Sequence, residues 1–134
     1  MRRLFVDTSA WYAFANRSDP CHGRVGDALE TFEGRLVTTN YVFDEVVTLC
    51  RKRLGHRQAV RVGAGLMDRD VIDLLCVQPE DERAAWGLFQ MREDRSYSFT
   101  DCTSFVVMRR LGIALAATLD ADFAREGFEV LPAA

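Results

Sequence analysis

No two of the four cysteines, Cys21, Cys50, Cys76 and Cys102, stand in a Cys-x-x-Cys pair. That spacing excludes a thiolate zinc site and a disulfide framework, and leaves the four as buried small hydrophobes in a reducing compartment. Histidine is scarcer still. His22 and His56 are the only two, and each reads as a loop or packing residue rather than a catalytic base. No apolar run approaches the length of a membrane span, and Met1-Arg2-Arg3 leads straight into a strand rather than a signal sequence. A cytoplasmic protein with no membrane partner is therefore expected. An excess of positive charge is also missing. The 17 Lys and Arg residues against 20 Asp and Glu give a formal net charge of −3, so any polyanion would have to meet a local basic patch. Lys52 is the only lysine.

What is present suits a single domain over residues 1–134, with an ordinary globular balance of 49% hydrophobic and 28% charged residues. Leu4-Phe5-Val6 is a short apolar run of the kind buried on both faces of a sheet, and it runs directly into Asp7-Thr8-Ser9. Asp, Thr and Ser accept hydrogen bonds from the free N–H groups of a starting helix. Asp7 thus stands where a strand stops and a helix begins, either as a simple cap or as a functional carboxylate at the ligand-binding edge of an α/β sheet.

The first helix continues from Trp11 to Ala15, and a second spans Cys21 to Phe32, ended by Gly34. Leu36 to Thr39 is a strand, with Asn40 as the natural cap of a helix over Tyr41 to Leu54 that Gly55 closes. On that helix Asp44 projects from the polar side, whereas Glu45 sits at the edge of the apolar face. Arg57 to Arg69 is helical, weakened by Gly63 and Gly65. Val71 to Val77 is a strand. Pro79 opens a helix to about Arg92, with Glu80, Asp81 and Glu82 favoured by its dipole. Thr100 is expected to cap a helix beginning at Asp101, whose carboxylate shares a face with Phe105 and Met108. Gly112 ends it, Ile113 to Leu119 forms a strand, and a short helix and the strand Phe128 to Leu131 follow. The pattern β-α-α-β-α-α-β-α-α-β-α-β, with right-handed crossovers, predicts a mostly parallel sheet flanked by helices: a three-layer α/β/α fold.

Asp7, Glu45, Asp101 and Asp120 come from separate elements, yet each falls at a strand's carboxyl end or in the first turns of the next helix. Such acids repel one another unless a cation holds them. Oxygen ligands with few histidines suit Mg²⁺ or Mn²⁺, and the matching chemistry is attack of an activated water on a phosphodiester.

Four blocks carry a family resemblance: Leu4-Phe5-Val6-Asp7-Thr8-Ser9, Thr39 to Glu45, Ser98 to Phe105, and Thr118-Leu119-Asp120-Ala121-Asp122-Phe123. In order and spacing the chain resembles PIN domains, in particular the VapC ribonuclease toxins of bacterial toxin–antitoxin pairs. The resemblance implies a metal-binding acidic quartet of Asp7, Glu45, Asp101 and Asp120, with Asp122 a supporting residue. Thr8, Ser9, Thr100 and Thr118 match positions that hydrogen-bond ligands or water. It also implies an RNA substrate such as tRNA or rRNA, a homodimer, and a small VapB-like antitoxin laid along a groove. No basic residue lies between Asp120 and Phe123, which departs from the family pattern. A non-catalytic PIN module binding RNA or protein is the alternative. A phosphoacceptor receiver domain would want adjacent acids after the first strand and a late lysine, and neither is present.

The densest basic run is Arg51-Lys52-Arg53, continued by His56, Arg57 and Arg61. It is either a solvated helix face or a set of phosphate contacts for RNA. Arg2-Arg3 and Arg109-Arg110 are weaker candidates. Trp11, Tyr12, Phe14, Trp86 and Phe89 read as mostly core, with any exposed subset available to a partner.

Overall fold

In the computed structural model, which describes residues 2–133, the elements follow the expected order. They are β1 (Arg3–Val6), α1 (Thr8–Ala15), α2 (His22–Thr31), β2 (Arg35–Thr39), α3 (Asn40–Leu54), α4 (His56–Leu66), β3 (Ile72–Leu75), α5 (Pro79–Met91), α6 (Phe99–Leu111), β4 (Leu115–Ala117), α7 (Asp122–Arg125) and β5 (Glu129–Leu131). The five strands form one parallel sheet in the order β3-β2-β1-β4-β5. Helices flank it, giving the α/β/α architecture. The apolar run of β1 is central: Leu4, Phe5 and Val6 are wholly buried. They pair with Leu36 and Val37 on one side and with Ala116 and Ala117 on the other.

This strand order puts the topological switch between β1 and β4. The chain leaves β1 towards β2 and β3, then returns to lay β4 on β1's free edge. Crossovers on either side of such a point diverge and leave a crevice at the carboxyl edge, where α/β proteins bind ligands. Asp7 and Thr118 stand at that crevice, immediately after β1 and β4.

Several boundaries differ from expectation. Thr39, not Asn40, caps α3, with its hydroxyl accepting from Val42 N at 3.2 Å, while Asn40 Oδ1 receives Val77 N at 2.8 Å. Ser98, not Thr100, caps α6. Its Oγ accepts from Asp101 N at 3.0 Å, and the Asp101 carboxylate returns the bond by accepting from Ser98 N at 2.9 Å. This reciprocal box satisfies two free N–H groups at once, which a cap at Thr100 could not do. Strands β3 and β4 are shorter than their apolar runs, because Val71 and Ile113 lie before the ladders begin. α4 stops at Leu66 rather than Arg69. Gly63 does not weaken α4 without return. It is buried against α3, and a Cβ there would meet Val47 Cγ2 at 3.3 Å.

Among the cysteines only Cys50 and Cys102 are buried; Cys21 is half-buried and Cys76, just past β3, is exposed. Trp11 is core as expected, but Phe14, Trp86 and Phe89 are exposed. Gly34 has a different role from the helix stop expected of it. It sits where β2 begins, and a Cβ there would overlap the Arg2 carbonyl oxygen, the acceptor for Arg35 N at 2.9 Å. Gly34→Ala should therefore destabilise the protein by about 3 kcal/mol, the cost of a steric insertion that nearby backbone cannot absorb. A denaturant titration checks this, and an unchanged midpoint would contradict the packing described.

Candidate active site

Asp7 is 2% exposed, and although it occupies the N-cap of α1 its side chain makes no capping hydrogen bond. The carboxylate is turned across the sheet edge instead. Its Oδ2 accepts from Ser9 Oγ at 3.0 Å and from Thr118 Oγ1 at 3.0 Å. Each hydroxyl has one hydrogen, which these bonds use, and each oxygen is also an acceptor: Ser9 Oγ receives Leu119 N at 2.9 Å and Thr118 Oγ1 receives Asp120 N at 3.1 Å. The 3.3 Å approach of Ser9 Oγ to Thr118 Oγ1 is then a contact between two committed groups. The result is a small lattice that ties the loop after β4 to the start of α1 and holds Asp7 by Oδ2, while the Asp7 carboxyl also approaches that of Asp120.

Three other acids share this edge. Burial, with the charges of Asp101 and Asp120, pushes the Asp7 carboxyl up to about 7. Burial also raises Asp101, to about 6, with Asp120 and Asp122 adding to the shift against the opposing bonds from Ser98. Asp120 lies in an exposed loop with its carboxyl turned partly into the edge, and that partial enclosure, with Asp122, raises it. Each of these carboxylates is disfavoured in its charged form by the protein that surrounds it. Structures tolerate such an arrangement chiefly at functional sites.

Glu45 stands apart from this group. It is half-buried on the second turn of α3, makes no hydrogen bond or ion pair among the described residues, and is not among the charges that raise Asp7. Asp122 is tied to Arg125 at 3.0 Å while remaining within electrostatic reach of Asp101 and Asp120. Thr8 Oγ1 is buried without a hydrogen-bond partner, as is Ser104 Oγ on α6. Thr100 lends its carbonyl to Thr103 Oγ1 at 2.6 Å.

Sequence reasoning missed two ionic anchors. Glu126, whose side chain is 4% exposed, accepts from Arg92 Nε at 2.9 Å, Arg109 Nη2 at 3.0 Å and Tyr97 Oη at 2.9 Å. Asp81, also buried, closes a capping box on α5 and accepts both Arg110 Nε at 2.7 Å and Arg110 Nη2 at 2.9 Å. The Arg109-Arg110 pair is therefore structural, joining α6 to α7 and α5. In the basic run, Arg51 bonds His56 and Arg53 lies over the Tyr12 ring at 5.5 Å, while Lys52 and Arg57 are exposed. Arg2 lies over Phe32 and Arg3 bonds the Leu111 carbonyl.

An acid-lined edge on a parallel sheet of this order, with carboxylates after β1, β4 and at the start of α6, goes with one class of protein that most of the chain matches: it belongs to the PIN domain family, which matches residues 4–129. Within that family it is 39% identical over 130 residues to VapC20 of Mycobacterium tuberculosis, a 23S rRNA-specific endonuclease, covering 96% of this chain and 98% of the relative. The crystal structure of VapC20, a sarcin-ricin loop cleaving toxin, superposes with a TM-score of 0.89 at 38% identity, covering 93% of this chain and 95% of that one. A VapC ribonuclease of Archaeoglobus fulgidus is 31% identical over 116 residues, covering 82% of this chain and 72% of the relative. The DNA-bound VapBC structure from Salmonella typhimurium, at 16% identity and a TM-score of 0.70, covers 97% of each chain and shares the fold. Among the described residues no helix is long and apolar enough to cross a membrane.

Proposed function

We propose that this protein is a divalent-metal-dependent endoribonuclease, the VapC-type toxin of a toxin–antitoxin pair, acting as one domain and as a homodimer in the cytoplasm. The observation that carries the reading is the buried Asp7, held by one oxygen and raised by Asp101 and Asp120. A carboxylate serving only as a helix cap would make the capping bond that Asp7 forgoes.

The donor set fits a hard divalent cation. It is all oxygen, its charged form is unfavourable in the bare protein, and a partnerless hydroxyl, Thr8 Oγ1, is buried beside it. Among the described residues no three Asp, Glu, His or Cys side chains close round one point. A cation that keeps several of its waters, so that some carboxylates act through water, suits such an open edge, as Mg²⁺ and Mn²⁺ do. Asp7, Asp101 and Asp120 would hold the ion, with Glu45 reaching it from α3. A bound ion would supply an activated water and offset charge on the phosphate. Ser9 and Thr118 fix one oxygen of Asp7, and Ser98 fixes one oxygen of Asp101. Asp122 lends negative charge at second remove while Arg125 restrains it.

The substrate we assign is a structured RNA, with rRNA favoured by the 39% identity to VapC20. Arg51, Lys52, Arg53 and Arg57 would meet its phosphates. Lys52→Ala with Arg57→Ala should leave the fold intact and lower RNA affinity. The slope of log affinity against log salt should fall by about 1.5, from two lost phosphate contacts; an unchanged slope would remove these residues from the interface. For the VapB-like antitoxin, the seat we assign is a cavity of about 850 Å³ between α1, α2 and α4, where Trp11, Phe14 and Val62 are bordered by Arg17, Glu30 and Arg61.

The test is incubation of the purified protein with 23S rRNA fragments and a tRNA panel, in Mg²⁺, in Mn²⁺ and in chelator, beside Asp101→Asn. Cleavage at a discrete site that needs metal and is absent from the variant is the expected result. Binding without cutting, by folded and metal-supplied protein, would favour a non-catalytic RNA-binding module instead.

A further inference from the structure

Among the described residues two buried side-chain oxygens have no hydrogen-bond partner, Thr8 Oγ1 and Ser104 Oγ. Buried hydroxyls are nearly always bonded, so such an orphan calls for a water or ligand that it is built to meet. Both belong to segments that carry acids of the edge. Thr8 follows Asp7, and Ser104 stands three residues after Asp101 on α6. The Thr8 hydroxyl is part of the donor set proposed for the cation; that of Ser104, a wholly buried residue, has no role there. A serine inside a helix ordinarily satisfies its hydroxyl on the carbonyl four residues back. For Ser104 that carbonyl belongs to Thr100, and it is used twice already: by the Ser104 N–H in the helix ladder and by Thr103 Oγ1 at 2.6 Å.

The layer in which this hydroxyl lies is fixed by packing. Strand side chains alternate, so Phe5 and Asp7 point to one face of β1. Phe123 meets Phe5 at 6.3 Å and Phe105 at 4.8 Å, which sets α6 on that same face. Asp101, Ser104, Phe105 and Met108 have the spacing of one helical stripe, and the last three are fully buried. Helical side chains lean towards the N-terminus, and residues three apart are neighbours. The Ser104 hydroxyl is therefore carried towards the turn that Asp101 opens, one turn beneath it on the inner side of the acidic edge. The Asp101 carboxylate itself is held from the other side. Among the described residues its hydrogen bonds come from exposed Ser98 alone, through the N–H at 2.9 Å and the side chain.

We propose that Ser104 is a positioning residue of the acidic edge: its hydroxyl holds one buried water that bridges to Asp101 from the inner side, so that Ser98 and Ser104 clamp this carboxylate between them. The serine O–H donates to the water, and the water donates to the carboxylate. Held on both sides, Asp101 keeps one orientation towards a cation shared with Asp7 instead of moving between rotamers. The inference rests on the metal-dependent nuclease reading and adds to it a residue that touches neither ion nor substrate. Partners of this kind, one step behind the ligands, set metal affinity by orienting them.

The test combines Mn²⁺ titration calorimetry with a crystal structure that resolves ordered water. Ser104→Ala removes the hydroxyl, and Ser104→Cys fills the space with a much weaker donor. Both should bind Mn²⁺ about tenfold more weakly than wild type. Thr103→Ala, the neighbouring buried hydroxyl already bonded to Thr100, should bind it as wild type does. Added to Asp101→Asn, Ser104→Ala should cost nothing further, because the residue acts through Asp101. In RNA cleavage, Ser104→Ala should lower kcat and leave KM unchanged. The wild-type crystal should show a water bonded to both Ser104 Oγ and the Asp101 carboxylate. Wild-type affinity in both Ser104 variants, or an equal loss in Thr103→Ala, overturns the clamp and leaves the nuclease reading intact. A full additional loss on top of Asp101→Asn also overturns it, as does a Ser104 hydroxyl bonded to a backbone carbonyl. If wild type binds no Mn²⁺ yet the bridging water is present, the clamp stands and the metal-dependent reading fails.

Discussion

Asp7→Asn should abolish RNA cleavage and, in metal-free protein near neutral pH, make the fold more stable. The two effects share a cause. Burial and the neighbouring acids push Asp7 from its ordinary 3.8 up to about 7, so the folded state binds a proton that the unfolded chain releases between those values. A carboxyl raised on folding contributes least when charged: stability falls as pH rises from about 4 towards 7 and stays low above it. Asparagine cannot ionise. It can still accept from Ser9 and Thr118 through its oxygen, and its amide donates towards Asp120 where a carboxylate repelled. A shift of about three pH units corresponds to a gain on the order of 4 kcal/mol at pH 8, or about 10 °C in Tm for a chain of this size. Thermal melts of both proteins in chelator, at pH 5 and pH 8, measure it. The gap should be wide at pH 8 and narrow at pH 5. Equal melting temperatures at pH 8 would mean that Asp7 is not strained as described.

Glu126→Gln should act in the opposite direction. Its carboxylate holds Arg92, Arg109 and Tyr97 at the junction of α5, α6 and α7, and those bonds outweigh its burial to hold it down at about 2 against an ordinary 4.5. A depressed carboxyl contributes stability that is present above about 4.5 and is lost as pH falls through the folded value. The side chain is 4% exposed but both arginines are partly solvated, so screening trims the contribution to about 2–3 kcal/mol at neutral pH. The variant should melt well below wild type at pH 7 and approach it below pH 3. Activity per folded molecule should be unchanged, since Glu126 is not among the charges that act on Asp7, Asp101 or Asp120. A variant as stable as wild type at pH 7 would show the three bonds to be energetically idle.

Element order was legible in the sequence because strand, cap and glycine signals alternate cleanly, and β1 announces itself as a run buried on both faces. The positions of Asp7, Asp101 and Asp120 at one sheet edge were legible for the same reason: each lies at or close to an element end. What escaped was whatever depends on pairing between distant elements. Arg109 and Arg110 read as surface charge, since nothing local names Glu126 or Asp81 as their partners. The boxes Ser98-x-x-Asp101 and Gln78-x-x-Asp81 were detectable as motifs, and Thr100 drew attention only because it too carries a hydroxyl. Trp86 and Phe89 have the spacing of a core stripe, but spacing cannot say which side of α5 faces the sheet when Ala85 and Leu88 offer the other. Glu45 was expected inside the acid group and stands half-buried beside it. Its reach towards a bound ion is part of the proposal, not of the bare fold.

The central claim is that the crevice between β1 and β4 binds a divalent ion through Asp7 and its neighbours. Calorimetric titration of Mn²⁺ into metal-free wild type, Asp7→Asn and Asp101→Asn at pH 7.5 tests it most directly. The account predicts saturable binding by wild type, at least tenfold weaker in either variant although both remain folded. Equal affinity in all three proteins, or no saturable binding by wild type, would contradict it.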